Sequence, residues 1–325
     1  MKNLFKTILL LAIVISAVFT NPVKTVETEF ESDIKDVAEL VHAKDKRADI
    51  PTLMESIGNF FKSKNIARNI YYNGSRNLDI YHKKNDKTKR TVVMFIYGGI
   101  WTFGEKTLYS TLGDFLYDNG YVAVIPNYAQ FPFGLVDDMV YDIGCAIKWV
   151  YNNIHKYGGD NQRIILMGHS SGAHLIALTL IQSSLNYIGR LPNIYKAVLL
   201  NGPYDFDVFS DIAKQTGITP ENSDLEKLAK FVLGSQNACP TDILKYFPDK
   251  SISYLGANKF NVIITGEDAL VPESSAQGLL QQIRRTSDVP FSYYIMPQVG
   301  HSGLTEGLMR GDTGIQGFVL YVIAN

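Results

Sequence analysis

Cysteine is scarce. Two, Cys145 and Cys239, occur in 325 residues. Thiols that far apart in sequence do not establish a disulfide, even where export would permit one. Cys145 lies in a helical pattern and reads as a small buried hydrophobe. Charge of one sign is lacking too. Lys and Arg number 31 against 32 Asp and Glu, with no long block of either. That leaves no electrostatic footprint for nucleic acid and favours a small-molecule substrate. No His/Cys/Asp cluster has metal-ligand spacing. There is no P-loop and no dinucleotide glycine fingerprint. No metal and no cofactor is therefore expected. After the N-terminal segment, no run is long and apolar enough to span a bilayer.

What is present is an ordinary globular balance, 46% hydrophobic and 19% charged. The start, "MKNLFKTILLLAIVISAVFTNP", sets Lys2 and Lys6 before an apolar run from Ile8 to Phe19. The run is short for a membrane span and suits a signal-peptide core, with Ala17, Val18 and Thr20 as small residues before a cut. Residues 1–20 are expected to be a signal peptide, or an uncleaved anchor that would associate the chain with a membrane. Either predicts export, to the exterior, the periplasm or the ER lumen. Residues 21–325 then form one domain. Asn73-Gly74-Ser75 fits a glycosylation acceptor.

In "VETEFESDIKDVAELVHA", Phe30, Ile34, Val37 and Val41 recur at helical spacing. A second helical stretch lies near Pro51 to Ile66. Strands then begin with "NLDIYHKK". "TVVMFIYGG" is a continuous apolar run, the pattern of a strand covered on both faces. From there strands ("YVAVIPNYA", "RIILMG", "AVLLNGPYD", "NVIITGED", "FSYYIMP") alternate with helices ("GLVDDMVYDIGCAIKWVYNNIHKYGG", "SGAHLIALTLIQSSL", "ESSAQGLLQQIRR", "GIQGFVLYVI"). The alternation predicts an α/β fold, a mostly parallel sheet flanked by helices. The stretch from about 206 to 253 breaks the rhythm and reads as a helical cap insertion.

One turn carries chemistry. In "RIILMGHSSGAHL" an apolar strand ends in a serine between two glycines, and a helix follows. A tight strand-to-helix turn forces strained angles on Ser170, and Gly168 and Gly172 relieve the crowding. The hydroxyl needs a base, and the base an orienting acid, in the order serine, acid, histidine. Of six histidines, only His301, in "MPQVGHSG", follows the last strand. The acid should end the preceding strand, where "NVIITGEDALVP" offers Glu267 and Asp268. The short carboxylate of Asp268 is favoured and Glu267 is the alternative. Oxyanion donors are expected from the backbone of Ser171 and of Gly98 and Gly99, in the loop after "TVVMFIY".

These motifs resemble those of α/β-hydrolases of the carboxylesterase type. More narrowly, "YGGIWTFG", "NYAQFPFGLVDDMVYDI" and "NNIHKYGGDNQRIILMGHSSGAHL" are similar to the isoprenylcysteine methylesterase and kynurenine formamidase branch. "GEDALVPESSA" and "GHSGLTEGLMRG" fit as well, so the resemblance covers roughly residues 75 to 325. It implies structural roles for Asp138, Asp142 and Asp160, and places Tyr128 and Phe131 at the border of a pocket. Two positions depart from the branch: Tyr97 stands where many members have histidine, and Ser171 where alanine is usual.

Three readings follow. The first is a serine esterase working through an acyl-enzyme, on small or methyl esters of an apolar, prenylcysteine-like substrate. The second is an arylformamidase or amidase with the same triad. The third is a catalytically silent binding protein on a hydrolase scaffold. Trp101 is expected beside the reacting carbon. Tyr97, Tyr128, Phe131 and Phe133 are expected along an apolar slot, roofed by Phe206, Phe209, Phe231 and Tyr246.

Overall fold

The computed structural model describes residues 50–83, 88–207 and 237–325. The N-terminal apolar run, the helix expected over 26–43, and Phe209 and Phe231 with most of the expected cap lie outside the described residues. From Glu55 onward the described chain belongs to one compact unit.

Among the described residues, eight strands form one sheet. They are β1 (Ile66–Asn73), β2 (Arg76–Tyr81), β3 (Arg90–Ile96), β4 (Val122–Pro126), β5 (Gly159–His169), β6 (Lys196–Leu200), β7 (Phe260–Thr265) and β8 (Phe291–Met296). Their order is β1-β2-β4-β3-β5-β6-β7-β8. The first two pairings are antiparallel and the rest parallel, as the alternation of elements predicts. Residues 92–96, 122–125 and 164–167 are buried without interruption, because helices cover both faces.

Among the described residues, the helices are α1 (Ile50–Lys62), α2 (Ser110–Asp118), α3 (Val136–Asn153), α4 (Ser171–Ser184), α5 (Pro240–Lys245), α6 (Glu273–Thr286), α7 (Gly303–Arg310) and α8 (Thr313–Ala324). α4 is apolar all round and is buried from Ser171 to Ser183, as a helix enclosed by its neighbours must be. α3 runs on through one 3-10 turn and stops at Gly158, whose φ of 77° needs glycine.

Three elements depart from the sequence expectation. β1 was not anticipated, and the helix near it ends at Lys62 instead of Ile66. β1 is irregular, with register shifts between Ala67 and Ile70 and between Tyr71 and Asn73, and such bulges erase the alternation that marks a strand. α2 was hidden by Gly113 in its interior, where a Cβ would meet the Tyr81 ring at 2.5 Å. α7 is only eight residues long. Both cysteines are free thiols. The amide of Asn73 donates to Asp142 (2.9 Å), which also accepts from Arg76 Nε (2.8 Å) and Ala129 N (2.9 Å). Asp142 thus joins β1, β2 and the loop after β4. No helix among the described residues is long and apolar enough to cross a membrane.

Candidate active site

The parallel register sets the site. Ile96 pairs with Gly168, and His169 with Leu200, so β3, β5 and β6 end level with one another. Ligands meet open parallel sheets at such carboxyl ends.

Ser170 joins β5 to α4 with φ 54° and ψ −126°. A non-glycine residue there carries about 1–3 kcal/mol of strain. Its N–H donates to Leu200 O at 2.8 Å, which fixes the turn. Both flanking glycines are required by close approach. A Cβ on Gly168 would lie 2.9 Å from Ala173 N, and one on Gly172 would overlap the carbonyl oxygens of Ile96 and Tyr97.

The structure brings Ser170, Asp268 and His301 together. His301 Nε2 lies 2.9 Å from Ser170 Oγ, and its Nδ1 lies 2.7 Å from Asp268 Oδ2. An ionised carboxylate only accepts, so Nδ1 carries the proton and Nε2 is free to receive one. The second oxygen of Asp268 accepts from Leu270 N (2.8 Å) and Val271 N (2.9 Å). Burial works to raise the pKa of Asp268, but the bond and charge of His301 and these two N–H groups outweigh it and leave it lowered. Glu267 is exposed. Its N–H donates to Val299 O (3.0 Å), so its backbone ties the acid's loop to the histidine's.

The glycine loop lies directly against the serine. A Cβ on Gly98 would sit 2.9 Å from Ser170 Cβ and 2.8 Å from His169 O. Gly99, Ile100 and Trp101 follow with φ of 131°, 52° and 58°. Positive φ at a β-branched and a bulky aromatic residue marks a strained loop held by its surroundings. Ser171 opens α4, so its N–H has no acceptor within the helix. The Ser171 hydroxyl also matters, because Trp101 N donates to it at 3.4 Å.

Several supporting residues were not evident in the sequence pattern. Asn127 Oδ1 accepts from Tyr97 OH (3.0 Å) and Lys106 N (2.9 Å), while its Nδ2 donates to Glu105 (2.8 Å). Lys106 is itself buried against both oxygens of Asp79 at 2.9 Å. His174, buried in α4, accepts from Trp101 Nε1 (3.2 Å) and donates to Ala238 O (2.7 Å). Burial lowers its pKa to about 4. His169 Nε2 donates to His301 O at 2.8 Å. Burial and the neighbouring His301 lower its pKa to about 3.

The expected substrate contacts fare unevenly. Tyr128 is 3% exposed, and its hydroxyl donates to Tyr97 O (2.7 Å). Through that bond it anchors the start of the glycine loop. Trp101 is equally buried, packed beside His174 and Phe206. Phe131 is half-buried, with its N–H on Trp101 O (2.9 Å). Tyr246, expected in a roof, is 88% exposed. Its position at the end of a six-residue helix, α5, turns it outward.

A family model described as BD-FAE matches residues 78–283. The chain belongs to the BD-FAE family. It is 39% identical over 133 residues to probable isoprenylcysteine alpha-carbonyl methylesterase ICMEL1 of Arabidopsis thaliana, a match covering 40% of this chain and 28% of that protein. It is 28% identical over 241 residues to probable carboxylic ester hydrolase LipM of Mycobacterium tuberculosis, covering 71% and 54%. The chain thus spans between about a quarter and just over half of these relatives' own length. Among solved structures, esterase B of Lactobacillus rhamnosis superposes with a TM-score of 0.66 at 17% identity, over 88% of this chain and 96% of that one. That likeness shows the α/β-hydrolase fold expected of this BD-FAE member.

Proposed function

We propose that this protein is a serine carboxylic-ester hydrolase. The observation that carries the reading is His301, held between Asp268 and Ser170 at 2.7 and 2.9 Å. Ser170 Oγ attacks the ester carbonyl carbon while His301 Nε2 takes its proton. The carbonyl oxygen becomes an oxyanion, facing the N–H groups of Gly98, Gly99 and Ser171. His301 returns the proton to the departing alcohol, leaving an acyl-enzyme on Ser170. Water, activated by the same imidazole, attacks that ester and restores the serine. Asp268 keeps Nδ1 protonated throughout and stabilises the imidazolium. The names of the BD-FAE relatives support ester chemistry.

The substrate reading is small or methyl esters on an apolar body. Trp101, whose N–H donates to the Ser171 hydroxyl, and half-buried Phe131, whose N–H donates to Trp101 O, would supply an apolar wall near the serine. The methylesterase name of the Arabidopsis relative points the same way. Residues 1–20 are read as a signal segment or anchor, on the basis of Lys2, Lys6 and the apolar run that follows.

A kinetic panel tests the reading. Methyl and acetyl esters of apolar acids or alcohols should show higher kcat/KM than long-chain acyl glycerols, and a fluorophosphonate should label Ser170. Preference for long-chain triglycerides, or for N-formylkynurenine over every ester, would overturn the substrate class. Absence of labelling would overturn the mechanism.

A further inference from the structure

The base of the site sits on a loop. His301 lies between β8 and α7, past Gln298 at φ 58° and Gly300. A loop does not hold an imidazole at a fixed distance from a serine unless its backbone is anchored. Besides the Glu267 N–H to Val299 O bond, the anchor at the histidine itself is the carbonyl of His301. It accepts from His169 Nε2 at 2.8 Å and from Asn201 Nδ2 at 2.9 Å.

Both donors come from strand ends that already hold the serine. His169 is the residue before Ser170. Asn201 follows Leu200, whose carbonyl accepts from Ser170 N. The bonds therefore close a short ring: Ser170 Oγ to His301 Nε2, through His301 to its carbonyl, to His169 Nε2, and back along one peptide to Ser170. Asn201 closes a second ring through β6.

We infer that His169 and Asn201 are positioning residues, which fix the separation of Ser170 and His301 by holding the His301 carbonyl. The inference rests on the roles proposed above for Ser170 and His301.

The chemistry of both side chains fits. A backbone carbonyl accepts only, so His169 must carry its proton on Nε2. Both rings lie close, with centroids 4.9 Å apart. A neutral His169 leaves His301 free to take a proton without a facing positive charge. Asn201 stands at φ 49°, and its backbone N–H donates to Ile263 O (2.9 Å). Its Nδ2 donates to Thr265 Oγ1 (2.6 Å) as well as to His301 O, while among the described residues its Oδ1 has no hydrogen-bond partner.

The test compares His169→Leu, which removes the donor, with His169→Gln, which keeps an amide N–H at a similar reach. Asn201→Gly tolerates the positive φ and also removes a donor. Each is read by kcat and KM on an acetyl ester, by the rate of fluorophosphonate labelling, and by the downfield proton resonance of the His301–Asp268 bond. His169→Leu should lower kcat about 100-fold, the usual scale for misplacement near 1 Å, with KM little changed and the resonance broadened. His169→Gln should recover most of kcat and the sharp resonance. Asn201→Gly should shift the same quantities in the same direction, and decides the matter if His169→Leu fails to fold. Wild-type rates and resonance in folded His169→Leu or Asn201→Gly would overturn the inference, as would a Gln variant no better than Leu. If the wild-type protein itself resists the fluorophosphonate, the nucleophile assignment fails and this inference falls with it.

Discussion

Replacing Asp268 by asparagine should be more damaging than its small size suggests, and the hydrogen bonds show why. One oxygen of Asp268 faces His301 Nδ1, and the other accepts from Leu270 N and Val271 N. An asparagine has one acceptor and one donor end. Two N–H groups converge on the inner position, so the amide oxygen must go there. The NH2 group then points at His301 Nδ1 and forces that nitrogen to accept. The ring proton moves to Nε2, which faces Ser170 Oγ at 2.9 Å and can no longer take the serine proton. The wrong tautomer costs on the order of 10⁴ in kcat, or about 5.4 kcal/mol. Asp268→Ala leaves the tautomer unforced and should be no worse than Asp268→Asn, although alanine is the less conservative change. Glu267→Gln, at an exposed side chain, should stay within about threefold of wild type, as surface changes usually do. The assay is steady-state hydrolysis of p-nitrophenyl acetate by folded, purified variants. Retention of more than about a tenth of wild-type kcat by Asp268→Asn, or a larger loss from Glu267→Gln than from Asp268→Asn, would refute the reasoning.

Further outcomes are expected. Ser170→Ala should abolish both turnover and labelling, and Ser170→Gly should in addition raise the thermal midpoint, because glycine relieves about 1–3 kcal/mol of strain at φ 54°. Loss of turnover with no gain in midpoint for the glycine variant would count against the strain. His169 and His174, lowered to about 3 and about 4 by burial, titrate near 6.5 when unfolded. The unfolded chain thus binds protons below about pH 6.5 while the folded chain does not, so stability is intact above that pH and falls by about 1 kcal/mol per histidine per unit down to about pH 4. Urea midpoints at pH 7, 6 and 5 should show the slope, and His174→Gln should remove about half of it; equal midpoints for the wild type would reject the linkage. N-terminal sequencing of protein from its native host should find a start near residues 18–21 in a non-cytosolic fraction, and residues 1–20 retained in soluble cytosolic protein would reject export.

The candidate triad was legible because chain order and strand ends suffice to choose it. Ser170 sits in a glycine-bracketed turn, and His301 follows the final strand. Asp268 was separable from Glu267 only by reach, and Asp268 is the one whose side chain lies 2.7 Å from His301. The parallel sheet was legible from uninterrupted apolar runs. β1 was not, because its bulges break the period-two pattern. Nor were the roles of His169, His174 and Asn201. A histidine inside a motif gives no clue to which distant carbonyl it meets, since His169 and His301 are 132 residues apart. The placing of Asn201 one residue past β6, level with the serine, was the signal available. The hydroxyl bond of Tyr128 was hidden for a related reason. An aromatic residue near a strand end gives no clue that its hydroxyl meets Tyr97 O.

Asn127 holds both feet of the glycine loop, Tyr97 and Lys106, on one side chain at the end of β4. That makes the span between them a cassette in a fixed socket. The tyrosine at 97 keeps its foot because its hydroxyl reaches the amide. Changing Phe103, the exposed side chain of the tip, leaves both feet in place, whereas Trp101 is tied to Ser171 and His174. For the esterase proposed above, selectivity can therefore diversify at Phe103 while Ser170, His301 and the sheet beneath them stay as they are. One half-buried amide separates what lies over Ser170 from what keeps the protein folded.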